Sequence, residues 1–110
     1  MRTRPNIYVP NKAGHDYSSA ERFGSLVFLT EGLIKRYNTN TIYRALADEL
    51  NNAERQDFLL ISSLSILNSI ASGILAYKFG RVNYLLFHDG SYLERTVIFS
   101  SLIDQEEQSG

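Results

Sequence analysis

The 110 residues contain no cysteine, no tryptophan, one methionine and two prolines. Without cysteine, disulfide scaffolds, Cys-based zinc sites, iron–sulfur clusters and thiol nucleophiles are all excluded, and a reducing compartment is allowed, in agreement with a cytoplasmic product without singling it out. Neither charge sign dominates: eleven Lys+Arg against twelve Asp+Glu leave a formal charge of -1. The basic footprint of a protein that grips nucleic acid through phosphates is therefore missing, and nucleic acid is not an expected partner. The chain also lacks G-x-x-x-x-G-K-[ST], G-x-G-x-x-G and G-x-S-x-G, so it carries none of the common phosphate-loop or nucleophile-elbow signatures.

What is present is apolar material, 44% of the residues, enough for the core of one domain. The N-terminus carries Arg2 and Arg4, but Pro10, Asn11, Lys12, His15 and Asp16 interrupt any apolar run, so no signal peptide is expected. Residues 58–77 are uncharged and long enough to cross a bilayer. Ser62, Ser63, Ser65, Ser69, Ser72 and Asn68 argue against a span, and the pattern breaks near Ser62 into a short apolar block and a helical repeat. A buried strand followed by a buried helix fits better, with no membrane partner.

The recurring unit is strand, turn, helix. Residues 6–9 and 26–29 are short apolar or β-branched blocks bounded by turn residues, which predicts two strands. Between them, Ser18-x-x-Glu21 has the spacing of a capping box opening a short helix through Phe23, with Gly24 as a left-handed stop. After N-cap residues ending at Thr41, Ile42, Ala45, Leu46, Leu50 and Ala53 recur at helical spacing. Residues 58–61 predict a third strand. Ser65 is placed to cap a second helix bearing Ile66, Ile70 and Ile74, closed by Lys78 and Gly80. Residues 82–87 read as a fourth strand, and Asp89-Gly90 as a type I′ turn into a fifth, antiparallel strand over 91–99, where Glu94 and Arg95 suit an edge. Residues 1–103 are expected to form one layered α/β domain: about four parallel strands with crossover helices and a C-terminal hairpin strand. Residues 104–110 read as a polar, frayed tail.

Parallel strands gather the loops after their carboxyl ends on one rim, where ligands bind in open α/β sheets. That rule collects Asn11, Lys12, Gly14, His15 and Asp16 after the first strand; Thr30, Glu31 and Gly32 after the second; Ser62, Ser63 and Ser65 after the third; and His88 and Asp89 after the fourth. Lys12 with the Ser62-Ser63 turn and helix amides suits a phosphate, while His15, Glu31 or His88 suits recognition or proton transfer. The plainer reading makes Ser65 an N-cap, Asp16 a helix cap and Asp89 a turn residue. His15-Asp16 and His88-Asp89 have ligand types suited to a transition metal, and a Ser-His-Asp set can be drawn from the same residues, yet neither has a supporting motif. No metal or other cofactor is expected. Tyr17 and Tyr37 lie in loops near the rim and are positioned to stack on a base.

Residues 7–24, from Ile7-Tyr8-Val9-Pro10-Asn11-Lys12 through Glu21-Arg22-Phe23-Gly24, followed by Leu29-Thr30-Glu31-Gly32, resemble small proteins encoded by tailed phages. The resemblance implies a viral accessory protein made in the bacterial cytoplasm and carries no catalytic motif, so it implies no functional residue. Two functions follow from the residues. The first is a module that binds or sequesters a nucleotide or other phosphate-bearing molecule at Lys12, His15, Asp16, Thr30, Glu31, Ser62, Ser63 and His88. The second is an interaction or self-assembling protein without chemistry, a homo-oligomer formed through the apolar 66–79 helix and exposed tyrosines.

Overall fold

The structure is a computed structural model and describes residues 3–12, 16–31, 37–62 and 65–100. Five strands, β1 (Asn6–Val9), β2 (Ser25–Phe28), β3 (Phe58–Leu60), β4 (Arg81–His88) and β5 (Ser91–Ile98), form one sheet in the order β2-β1-β3-β4-β5. The first four are parallel, as their alternation with helices requires, and β5 returns antiparallel. Asp89 and Gly90 both have positive φ (49° and 79°), the backbone of a type I′ turn. Residues 58–79 are divided between β3 and the helix α2 (Ser65–Phe79). Among the described residues no helix is long and apolar enough to cross a membrane.

Strand order fixes which face each connection covers. The first connection steps from β1 to β2, and the next two step the opposite way, to β3 and then β4. Crossovers of one hand that move in opposite directions lie on opposite faces. Accordingly Tyr17, Ala20 and Phe23 pack on the side of Ile7, Val9, Phe58, Leu60 and Leu85. The helices α1 (Thr39–Glu49) and α2 cover the other side, where Ile42, Leu46, Leu67, Ala71 and Leu75 meet Tyr8, Leu59 and Val82. Successive strand residues thus feed different cores, the period-two consequence of the pleat. Every residue of β3 is buried, as expected for a central strand covered on both faces.

Local details differ from the sequence expectation over 16–24. Ser18–Ala20 is a 3₁₀ turn with no side-chain cap, so the capping box does not form. Instead Asp16 Oδ1 accepts from the Ser18 amide (2.9 Å), a local turn that competes with a helical start. The turn closes through Glu21 N to Ser18 O (3.0 Å) without propagating. Gly24 has no positive φ; it is needed because a Cβ there would collide with the Pro5 carbonyl oxygen, which accepts from Ser25 N (2.9 Å). The left-handed stop occurs at Gly80 (φ 70°) after α2, as expected. α1 begins at Thr39, before the expected Thr41 cap, and Asn38 at its N-cap makes no side-chain cap bond. α2 begins at Ser65 itself.

At the end of the sheet away from the rim, buried Asp57 organises three segments. Its carboxylate accepts from Asn6 N (2.9 Å), Glu54 N (2.8 Å) and Tyr8 Oη (3.3 Å). A buried carboxylate is tolerated because backbone and phenolic donors replace its lost water.

Candidate functional site

Parallel strand direction places Lys12, Thr30, Glu31 and Ser62 beyond the carboxyl ends of their strands, on the rim inferred from the sequence, whereas His88, expected after the fourth strand, is the last residue of β4 and pairs with Ser91. The order reverses between β1 and β3, which lie side by side, so the switch point is flanked by the loops carrying Lys12 and Ser62. His15, Ser63, Gly14 and Gly32 lie outside the described residues, so the meeting of the two histidines and the full Ser62-Ser63 turn do too.

Most described polar groups of the rim are committed to the fold. Lys12 and Glu31 form a parallel bridge that prolongs the β1–β2 ladder, with Lys12 N donating to Thr30 O (2.9 Å). Thr30 Oγ1 donates to Pro10 O (2.6 Å), with Asn11 Oδ1 2.9 Å away. Asn68 clamps Ser62 from both sides: Ser62 N donates to Asn68 Oδ1 (3.1 Å), and Asn68 Nδ2 donates to Ser62 O (2.6 Å). Asp16 serves its own turn, and the Ser18 amide holds its carboxyl below the usual range. Lys12 Nζ stands 5.3 Å from the Phe28 ring centre. His88 Nε2 lies 3.2 Å from Asp89 Oδ2, both well exposed at the hairpin. Among the described residues no group of three or more His, Cys, Asp or Glu is arranged to hold a metal ion.

The tyrosines divide differently from the expectation. Tyr17 is buried against Phe28 (ring centres 5.8 Å apart) and cannot stack on a base. Its ring helps to close the sheet face that, among the described residues, the 3₁₀ segment covers. Tyr37, in contrast, is exposed.

A larger concavity lies elsewhere. Between α1 and α2, on the outer side of the helical layer, a groove of about 810 Å³ is lined by Tyr43, Ala47, Ile70, Gly73, Ile74 and Tyr77, with Asn40, Asn51 and Ser69 among its polar neighbours. The helices run side by side in the same direction: at their C-terminal ends Lys78 Nζ donates to Leu50 O (2.8 Å) and Asn51 O (3.0 Å). That cation is spent on the orphan carbonyls that end α1. Tyr77 is 93% exposed and Tyr43 53% exposed, while nothing stands within 4 Å of where a Gly73 Cβ would be. Sequence reasoning identified the apolar helix but neither the exposure of Tyr77 nor the groove; the signal was a glycine inside an apolar helix, four residues before a tyrosine.

A family model described as Phage Pam3 gp32-like protein matches residues 5–98. No curated protein and no solved structure matches the chain.

Proposed function

The chain belongs to the Phage Pam3 gp32-like protein family, and from that premise we propose that it is a phage accessory protein of the host cytoplasm that works by protein contact, assembling with a second copy of itself through the outer face of α1 and α2. The observation that carries this reading is the juxtaposition of a knob and a hole on one helix face. Tyr77 projects almost fully into solvent, and Gly73, one turn earlier and about 6 Å along the axis, leaves an open notch in the groove. Two α2 helices crossing antiparallel about a two-fold axis put each tyrosine into the other copy's notch, the self-complementarity a closed dimer needs. Charge does not oppose the contact, since Lys78 is the one ionisable cation in the lining and is already bonded to backbone carbonyls. Tyrosine is also a residue type that anchors interfaces.

Sedimentation equilibrium of the whole protein tests it. A dimer that Tyr77→Ala and Gly73→Leu each convert to a folded monomer is the expected result. A wild type that stays monomeric across concentrations, or a dimer indifferent to both changes, overturns the reading.

A second reading is kept for one reason, the adjacency of β1 and β3 at the reversal of strand order, which supports a phosphate-bearing ligand at Lys12 and Ser62. It requires selective thermal stabilisation by a nucleotide that Lys12→Ala abolishes.

A further inference from the structure

We infer that the groove between α1 and α2 is a binding site for a small neutral phenol, and that such a ligand regulates assembly by occupying the place of a second copy's Tyr77. The regulatory half rests on the dimer reading, whereas the binding half rests on the groove alone. Its volume, about 810 Å³, lies within the range of small-molecule sites. The floor is aliphatic: Ile70 and Ile74 are half-buried against the helical-side core, and Ala47 and Gly73 are the smallest residues of the lining. With nothing within 4 Å of where a Gly73 Cβ would be, a ring rests directly on the helix backbone there. A slot between two helices lying side by side is long and narrow, so a flat ring enters edge-on more easily than a thicker saturated one. Tyr43 stands exposed in the wall, where its ring meets an aromatic edge.

Polarity sets the substituent on that ring. Asn40, Asn51 and Ser69 bring uncharged hydrogen-bonding side chains to the groove, and all three are exposed, so a hydroxyl at the mouth keeps both a protein partner and solvent. No Asp or Glu is among the described lining residues. The Lys78 amine already donates to the carbonyls of Leu50 (2.8 Å) and Asn51 (3.0 Å). An ionised ligand would therefore surrender hydration to a groove in which no acid stands and the one cation is engaged, while a neutral phenol surrenders little. The chain carries the matching group itself. Tyr77, which the dimer reading seats in this groove, ends in a para-substituted phenol, and free para-cresol is that side chain with its Cβ as a methyl group.

Nuclear magnetic resonance titration of the full chain carrying Tyr77→Ala, which keeps the groove floor and removes the competing ring, reads the site directly. Para-cresol is expected to shift the Ala47, Gly73 and Ile74 amide signals saturably. Methylcyclohexanol, which is not flat, and para-toluate, which is charged, should each bind at least about tenfold more weakly. Adding Gly73→Leu from α2, or Ala47→Leu from α1 should the first fail to fold, fills the groove and should weaken para-cresol about tenfold or more. In the wild type, sedimentation equilibrium with saturating para-cresol should move the dimer toward monomer. The inference is overturned by a response that does not saturate, by equal affinity for methylcyclohexanol or para-toluate, or by affinity unchanged in the filled variants. A wild type that is monomeric without ligand sinks the dimer reading, and saturation in Tyr77→Ala then still decides the site. A dimer that persists at saturating para-cresol overturns the regulation and leaves the dimer reading standing.

Discussion

Two glycines show how much a single missing Cβ decides. Gly73 sits inside α2 with open space where a side chain would go, so Gly73→Ala removes backbone entropy from the unfolded chain without a clash. It should stabilise the monomer by about 0.5–1 kcal/mol in urea unfolding at dilute protein. Gly24→Ala drives a Cβ into the Pro5 carbonyl oxygen at a close approach of two backbone segments. That change should cost about 1–3 kcal/mol or more in the same assay. Titration supplies another test at this scale. Burial pushes the Tyr92 phenol above its ordinary value, with Tyr17 and the negative charge of Asp16 adding to the shift. A group whose folded value is raised contributes stability that is complete below its unfolded value, near 10, and is lost as pH rises through the folded one. Stability should therefore fall in the alkaline range above about pH 10, and Tyr92→Phe should flatten that slope. Asp16 works in the opposite sense: its lowered value makes its small, exposed contribution present above the ordinary carboxylate range and lost as pH falls.

Among elements, the junction of β3 and α2 depends on one amide. Asn68 grips Ser62 through both its oxygen and its nitrogen, tying the strand end to the first turns of the helix. Asn68→Ala should cost about 1–3 kcal/mol and speed hydrogen exchange at the Ser62 amide, because it leaves part-buried backbone groups of Ser62 without these partners. The elements themselves were legible in the sequence wherever composition and period agreed. β3 reads from an uninterrupted apolar block, β4 and β5 from Asp89-Gly90, and the end of α2 from Gly80. The 16–24 segment was misread because Asp16 competes for the Ser18 amide, a choice between two local turns that spacing alone does not resolve. The rim was legible as a consequence of strand direction, yet Asn68, Pro10 and Asn11 turn many of its polar groups inward. The groove was hidden because its lining alternates between two helices distant in sequence.

For the whole molecule, two layers of unequal depth flank the sheet. The helical side holds Leu46, Leu50, Leu59 and Leu67 with no exposed surface, whereas among the described residues the other side is covered by a short 3₁₀ segment with the rings of Tyr17, Phe23 and Tyr92. Leu67→Ala should cost about 2–5 kcal/mol, the loss of transfer energy plus an unfilled cavity. Tyr77→Ala, at a site exposed in the monomer, should leave the stability of the monomer within about 0.5 kcal/mol. Self-association adds a concentration dependence: the melting temperature of the wild type should rise with protein concentration, and that of Tyr77→Ala should not.

The central place of β1 also bears on synthesis. Ile7 pairs with Leu26 on one side and with Phe58 on the other. A nascent chain leaving the ribosome therefore assembles the β1–β2 pair early and keeps one flank of β1 bare until residue 58 has emerged. Translation halted before that point would release a fragment with an open strand template, prone to join neighbouring chains.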